Sequence, residues 1–131
     1  ADEPGDGPDG SDPGQEEVSE LIYKIVPAGL WHAAVAAGTF TGSPVDQADG
    51  YIHFSTAAQV GATAAKHFAG QADLLLVAIP LSALGETLKW EPSRGGDLFP
   101  HLYAPLPVSA ATWVRLLPLG EDGLHVFPDL S

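Results

Sequence analysis

Runs of apolar residues alternate along the chain with stretches rich in glycine, proline and acidic residues. The first run, LIYKIV at 21–26, is β-branched and aromatic, which is typical of a strand. The alanine-rich segment after it predicts a helix, which Pro27 or Ala28 begins and Gly38 ends. The chain therefore starts its ordered part with a strand and a helix.

A second strand and helix follow a loop. The segment TFTGSPVDQADG at 39–50 has a loop composition, and YIHFS at 51–55 predicts a strand. Thr56 and Gln59 form a capping-box pattern, in which each side chain reaches the backbone N–H of the other residue. We expect the helix that begins there to extend to about residue 69.

The sequence of the second half of the chain predicts mainly strands. ADLLLVAIP at 72–80 is continuously apolar, as in a central strand that is covered on both faces. Further strands are predicted by ETLKWEPS at 86–93, the HLY of 94–107, ATWVRLLPL at 111–119 and LHVF at 124–127. The order β-α-β-α followed by strands indicates an α+β fold rather than a doubly wound sheet.

Acidic residues are concentrated at the start of the chain. Of the 17 acidic residues in the 131, eight lie within 1–20, where no basic residue occurs. Nine acidic and five basic residues remain, so 21–131 carries −4 of the total −12. We therefore predict a disordered acidic tail at 1–20 and a single domain at 21–131. The tail lacks the cationic start and apolar run of a signal peptide, and no later apolar run reaches membrane-spanning length.

Composition also restricts the chemistry. The chain has no cysteine, which excludes disulfides, thiolate metal sites and thiol catalysis, and fits a cytoplasmic protein. Its five histidines show no metal-binding spacing, so we expect no metal. Five cations among 17 acidic residues do not favour duplex nucleic acid, whereas a dinucleotide needs only one or two cations.

The stretch IHFST is one candidate site. His53 lies on a strand just before a capped helix, whose N-terminal N–H groups attract anions. Ser55 and Thr56 add hydroxyl groups, and a histidine can donate or accept a proton near neutral pH. The alternative is a half-buried strand histidine beside an ordinary helix cap, and the local pattern leaves both open.

The stretch WEPSRGGDLFPHLYAPL is the second candidate. It combines Arg94, which can grip a phosphate with two N–H groups, with His101 and Tyr103 in a proline-stiffened frame. The alternative is a rigid loop in which Arg94 pairs with Glu91 or Asp97. Elsewhere, Lys24 lies within the first strand and either reaches toward water or faces a cleft.

Several of these segments together resemble one small bacterial family. They are IYKIV, GTFTGSPVDQADGYIHFSTAAQV, DLLLVAI and LKWEPSRGGDLFPHLYAPL. The family is the domain-of-unknown-function 952 family, and the resemblance covers residues 21 to about 117. It implies the split β-sheet fold of the ADP-ribosyltransferase and RNA 2′-phosphotransferase superfamily, which grips NAD or an ADP-ribosylated intermediate.

The resemblance also implies roles for residues. His53 and His101 would be catalytic acid/base or ribose-binding groups, acting on NAD or a related nucleotide as substrate. The implied nucleotide contacts are Lys24, Ser55, Thr56, Arg94 and Tyr103. Two departures from the superfamily pattern matter: Lys24 stands where a His or Arg is common, and no clean equivalent of the usual glutamate is seen. Transferase, phosphotransferase or hydrolase chemistry and a non-catalytic binding module on the same fold therefore stay open.

Overall fold

The computed structural model describes residues 20–93 and 95–130. The acidic tail, apart from Glu20, lies outside these residues, and so does Arg94. The strands are β1 Leu21–Pro27, β2 Thr39–Phe40, β3 Ile52–His53, β4 Leu74–Pro80, β5 Leu88–Pro92, β6 Leu98–Leu102, β7 Leu106–Pro107 and β8 Trp113–Leu117. The helices are α1 Ala28–Ala37, α2 Pro44–Asp49 and α3 Ala57–His67, with short 3₁₀ helices at Leu81–Ala83, Gly85–Thr87 and Val108–Ala110.

The first sheet has the strand order β1-β4-β8, and both pairings are antiparallel. Its central strand β4 is buried from Leu74 to Ile79. Alternate β4 side chains enter two cores on opposite sides of the sheet, Leu75, Val77 and Ile79 on one side and Leu74, Leu76 and Ala78 on the other. The prediction of a central strand covered on both faces is confirmed.

The second sheet has the order β3-β6-β5 and is also antiparallel. Ile52 pairs with Leu102 and both are buried in the first core, so this sheet contributes one face to the interior. The next pair along, His53 with His101, points to the opposite face because side chains alternate along a strand. A two-stranded ribbon of β2 and β7 completes the pairing.

The chain passes from one sheet to the other directly after β3. Phe54 N–H donates to Pro100 O of the second sheet at 3.0 Å. Ser55 instead exchanges two backbone hydrogen bonds with Tyr23 of β1, at 2.8 and 2.9 Å. The predicted strand at 51–55 is therefore shorter than expected, since its two ends belong to different sheets.

Two further segments differ from expectation. Within 39–50, where a loop was predicted, the chain forms β2 and the six-residue helix α2. The segment 124–127 contains no strand, only an isolated bridge between Leu119 and His125. The architecture is nevertheless mixed α and β with open antiparallel sheets, in agreement with the predicted α+β class. None of the helices in the described ranges has the length and apolar character needed to cross a membrane.

Candidate functional site

A buried carboxylate connects the interior of the domain to the face that carries the two histidines. Asp46 of α2 is only 1% exposed. Its Oδ1 accepts hydrogen bonds from Lys24 Nζ at 3.0 Å and from the backbone N–H of His53 at 3.1 Å, and lies 2.6 Å from His53 Nδ1. Its Oδ2 accepts from the backbone N–H of Ser43 at 2.8 Å. One carboxylate therefore fixes a lysine, a helix start and a histidine.

Burial and ion pairing act in opposite directions on this carboxylate and its lysine. Burial by itself raises the pKa of Asp46, but bonds from His53, Lys24 and Ser43 outweigh it and hold the pKa well below its usual range. Burial lowers the pKa of Lys24, which is 6% exposed, and the attraction to Asp46 offsets this only in part. Asp46 is therefore ionised, and Lys24 depends on it as a partner in the interior.

The backbone of Gly42 packs closely against the side chain of Asp46. Gly42 has φ +109°, and a Cβ added there would lie 2.8 Å from Cβ of Asp46. Real Cβ atoms essentially never approach so closely. The loop before α2 can therefore pass Asp46 only because residue 42 has no side chain.

His53 is held by carboxylates at both ring nitrogens. Nδ1 faces Asp46, and Nε2 lies 3.0 Å from Oδ2 of Asp49. Only an imidazolium carries protons on both nitrogens, whereas a neutral ring can donate to one of these two partners. The His53 side chain is 33% exposed and that of Asp49 is 45% exposed. Nδ1 is thus anchored inside, while Nε2 lies at the surface.

A second histidine–carboxylate pair lies beside the first. His101 Nδ1 is 2.8 Å from Oε1 of Glu91, and the Tyr103 hydroxyl donates to the same oxygen at 2.7 Å. The hydrogen bond to Glu91 raises the pKa of Tyr103 to about 12. Bonds from Tyr103 and then His101 lower the pKa of Glu91. Both of these contacts are made by Oε1, and among the described residues Oε2 of Glu91 has no hydrogen-bond partner.

The Tyr51 ring covers the two histidines. Its centroid is 4.1 Å from that of His101, in a stacked arrangement, and 4.7 Å from that of His53. The ring of Tyr103 is tilted against that of Tyr51, with the two centroids 5.1 Å apart. The His53 and His101 rings are 5.4 Å apart, and His101 is only 4% exposed. Of the two histidines, His53 is the accessible one.

A depression of about 360 Å³ lies against this cluster. It is lined by Thr41, Asp46, Gln47, Gly50, Tyr51, Ile52, Leu102, Tyr103, Ala104 and Pro105. Neither His53 nor His101 lines it, but Tyr51 does, and its ring lies 4.7 Å from the ring of His53 and 4.1 Å from that of His101. We use the term "tyrosine cleft" for this depression together with its Tyr51 wall.

The predicted site residues fall into three groups. His53, His101 and Tyr103 come together around Tyr51. Lys24 is connected to His53 through Asp46. Ser55 and Thr56 lie at the start of α3 instead. Ser55 Oγ is buried 3.0 Å from Thr63 Oγ1, and the Thr56 N–H donates to Gln59 Oε1 at 3.0 Å, as the capping box predicts. Arg94 lies outside the described residues, so its role stays a prediction.

Sequence reasoning missed the carboxylates and one aromatic residue of the site. Asp46, Asp49 and Tyr51 fall in or beside the segment interpreted as a loop, and Glu91 was considered only as a partner for Arg94. A signal for Asp46 does exist: the pattern Ser43-Pro-Val-Asp46 is a capping-box pattern with proline at the first helical position. In the part of the chain that the structure describes, no three His, Asp or Glu side chains are grouped to hold a metal ion.

Comparison with known proteins adds a family and solved relatives. The family model "Protein of unknown function (DUF952)" matches residues 25–114. The crystal structure of protein CC0527 from Caulobacter crescentus is 55% identical, with a TM-score of 0.78 over 81% of this chain and 93% of CC0527. The solution NMR structure of CC0527 is 56% identical, with a TM-score of 0.73 over 79% of this chain and 90% of that one. No curated protein matches the chain.

The matched segment contains Asp46, His53, Glu91 and His101, the residues that form both histidine–carboxylate pairs. It spans more than half of the 131 residues. The chain therefore belongs to the DUF952 family, whose description assigns it no function.

Proposed function

We propose that NAD or a related nucleotide binds in the tyrosine cleft and extends past Tyr51 to the adjoining His53, which acts on it as a general acid or base. The observation that carries the proposal is the His53–Asp46 pair, in which a buried carboxylate holds a surface imidazole by Nδ1 at 2.6 Å. The resemblance to the ADP-ribosyltransferase superfamily supplies the ligand class. It also supplies the finer split-sheet fold, which is part of the proposal.

The fixed Nδ1 leaves Nε2 of His53 as the reacting nitrogen. The side chain of its partner Asp49 is 45% exposed, so a ligand hydroxyl or a water molecule can take the place of that carboxylate with little loss of packing. Asp46 stabilises the imidazolium that forms when Nε2 accepts a proton, as buried carboxylates do for catalytic histidines. The pair therefore suits His53 for proton transfer at the domain surface.

The aromatic walls suit the flat parts of a nucleotide. Tyr51 and Tyr103 both line the depression, and aromatic faces stack on bases and on the nicotinamide ring. The nicotinamide ring of NAD is cationic, so the nearby carboxylates of Asp49 and Glu91 attract it. Oε2 of Glu91, which has no hydrogen-bond partner among the described residues, can accept a hydrogen bond from a ribose hydroxyl. Glu91 thus supplies a site carboxylate where the sequence pattern showed no clean equivalent of the superfamily glutamate.

The proposed reaction replaces nicotinamide at the ribose. The bond from the ribose carbon to nicotinamide breaks, nicotinamide leaves as a neutral molecule, and the oxygen of an acceptor bonds to that carbon. His53 Nε2 takes the proton that the acceptor loses. With water as the acceptor the reaction is hydrolysis, and with another hydroxyl it is transfer.

A binding module without turnover is the second candidate. Two contacts favour it: Asp49 already occupies Nε2 of His53, and the Tyr51 ring covers His101. In such a module the same cleft would bind the nucleotide while both histidines stayed paired with carboxylates. The two candidates differ in whether product forms, which makes them separable by one experiment.

The test is a nucleotide panel read by thermal shift and by mass spectrometry of the ligand. We expect NAD at millimolar concentration to raise the melting temperature, because a ligand that binds only the folded state stabilises it. His53→Ala should lower turnover by about 10²–10⁴-fold, the usual contribution of acid–base catalysis. His67→Ala, which changes an exposed histidine of α3, is the matched control and should keep full turnover.

Two other outcomes have distinct meanings. Stabilisation by NAD without any ADP-ribose or nicotinamide product would select the binding module. The absence of any thermal shift across the panel would show that the tyrosine cleft is not a nucleotide site.

A further inference from the structure

A nucleotide brings negative charge to a face that is already acidic. Asp46, Asp49 and Glu91 all lie at the site, and the charge of Asp46 is balanced internally by Lys24. Asp49 and Glu91 favour a cationic ring but repel a phosphate. A phosphate-bearing ligand therefore needs a cation on the same face that has no internal partner.

Most cations in the described ranges are committed or lie elsewhere. Lys24 is buried against Asp46. Arg115 lies on β8 of the first sheet, where its guanidinium stacks 4.2 Å from the centroid of Trp113 and donates to Asp129 O at 3.0 Å. Lys66 is in the last turn of α3. Lys89 of β5 remains.

Strand register places Lys89 in line with both histidines. His53 of β3 is the direct partner of His101 of β6, and Lys89 of β5 is the direct partner of the same His101. Directly opposed residues of antiparallel strands project from the same face of the sheet. The three side chains therefore form a row across the second sheet, with His101 in the middle.

The surroundings of Lys89 leave its ammonium group accessible. Lys89 is exposed, and it makes no hydrogen bond or ion pair with any residue that the structure describes. It lies close enough to Glu91 to add a small attraction to the hydrogen bonds from Tyr103 and His101 that lower the pKa of Glu91. The ammonium group thus lies at the site face but outside its hydrogen-bond network.

We infer that Lys89 contacts the phosphate groups of the nucleotide, with the ribose between Lys89 and His53. The inference rests on the proposed function. Two strand spacings separate the ends of the row, about 10 Å, a distance that a sugar spans between the reacting imidazole and a phosphate. The Tyr51 ring, which stacks on His101, would then lie beneath the sugar, and Lys89 would select phosphorylated ligands over nucleosides.

Edge-strand protection is the competing explanation for Lys89. β5 is at the edge of its sheet, and charged residues, lysine above all, keep edge strands from pairing with other chains. An edge lysine of that kind does not distinguish a phosphorylated ligand from its nucleoside. The experiment therefore compares two ligands that differ in their phosphates.

The test is calorimetric titration of the full chain with ADP-ribose and with adenosine, at low and moderate salt. We expect Lys89→Gln to bind ADP-ribose about tenfold more weakly, since one charge-assisted hydrogen bond is lost, with a smaller salt dependence. Adenosine affinity should not change. Lys89→Arg should keep most of the ADP-ribose affinity, and Lys66→Gln, which removes an exposed lysine of α3, should behave as the parent.

The outcomes separate this inference from the proposed function. Equal ADP-ribose affinity in the parent and in Lys89→Gln would overturn the role of Lys89 while the nucleotide site stands. An equal loss for ADP-ribose and adenosine would also overturn it, since that result indicates a general disturbance of the cleft. If the parent binds neither ligand, the proposed function itself fails and the inference fails with it.

Discussion

At the scale of single residues, Asp46 joins the interior of the domain to the candidate site. Its carboxylate satisfies the buried ammonium of Lys24 and orients the ring of His53. A buried ion pair is often no more stable than a well-packed apolar pair, but removal of one partner leaves a buried charge without compensation. The geometry of His53 is therefore coupled to the stability of the whole domain.

This coupling predicts the effect of Asp46→Ala. We expect it to lower the free energy of unfolding by about 3–5 kcal/mol, because Lys24 is left buried and unpaired. The control Asp49→Ala removes an exposed partner of the same histidine and should cost at most about 1 kcal/mol. Urea unfolding gives both values, and equal costs for the two variants would show that the pair with Lys24 stabilises nothing.

The double variant Lys24→Met, Asp46→Ala checks the reason for the loss. If the uncompensated ammonium is the cause, the apolar methionine should recover part of the stability that Asp46→Ala loses. A double variant no more stable than Asp46→Ala would assign the loss to the bonds of Asp46 with Ser43 and His53 instead.

At the scale of elements, the small helix α2 delivers Asp46 to the site. Ser43 caps the helix, and Gly50 ends it in the left-handed conformation at φ 89°. Asp46 is the third helical residue, and its side chain closes the capping box inside the domain rather than at the surface. The position of the carboxylate thus depends on how the preceding loop enters the helix.

Gly42→Ala tests this dependence. A methyl group at residue 42 would meet Cβ of Asp46 and would also be strained at a positive φ, so both stability and the His53 contact should suffer. Gly50→Ala shares the positive φ but has open space around it, and we expect it to cost about 1–3 kcal/mol from backbone strain alone. Gly42→Ala should cost more.

The measurements are chemical unfolding and the NMR signals of the His53 ring. Gly42→Ala should shift the His53 signals, because Asp46 must move, whereas Gly50→Ala should leave them nearly unchanged. Equal stability losses with unmoved ring signals in both variants would show that the loop does not position Asp46.

Long elements could be predicted from the sequence because their own residues specify them. The apolar run of β4 and the capping box of α3 each fixed an element within a few residues. The two-residue strand β3 could not be placed in this way. It exists because β6, nearly fifty residues later, pairs with it, and because Ser55 then joins β1 instead.

The same distinction applies to the site: residues that stand out in the local sequence could be predicted, and residues placed by distant contacts could not. The histidines and Tyr103 stand out by residue type in short motifs, and the structure brings them together. Glu91 and Asp46 could not be assigned in the same way, because an acidic residue in a loop or an alternating strand is usually solvated. Only the strand register and the burial of α2 show that these carboxylates face the histidines.

At the scale of the whole molecule, the two faces of the first sheet pack against different parts of the protein. One face packs against α3 and the C-terminal segment, where Phe127 and Leu130 lie on the core and the Tyr23 hydroxyl donates to Leu130 O. The other face carries Lys24 and meets the second sheet, whose outer face holds both histidines. The site is thus built on the side away from the C-terminal segment.

Ionisable groups of this site should make domain stability depend on pH at the acid end. The folded-state pKa of Asp46 lies below the ~3.9 of an unfolded aspartate, so its contribution is present above about pH 4 and is lost as the pH falls toward the folded value. Unfolding free energies measured from pH 7 down to pH 2 should fall less steeply for Asp46→Asn than for the parent. Asp49→Asn, the exposed control, should follow the parent curve.

At the alkaline end Tyr103 contributes, beside Tyr23 and Tyr51, whose pKa values burial also raises. The folded pKa of Tyr103, about 12, is above the ordinary value of about 10, so its contribution is complete below pH 10 and is lost as the pH rises toward 12. Lys24 changes stability in the opposite direction. Burial lowers its pKa, so the ammonium loses its proton more readily in the folded state, and this group makes folding more favourable as the pH rises. The contribution of Tyr103 must therefore be measured as the difference between the parent and Tyr103→Phe.

That difference in unfolding free energy should be constant up to about pH 10 and should shrink above it. The cause is the bond to Glu91, so the same comparison in a Glu91→Gln background should show a weaker change with pH. Phenolate absorbance provides an independent check, since Tyr103 in Glu91→Gln should ionise closer to the ordinary ~10. If Tyr103 ionises at the same pH with and without the Glu91 charge, the carboxylate does not hold its proton, and the hydrogen bond from Tyr103 to Glu91 is weaker than its length of 2.7 Å indicates.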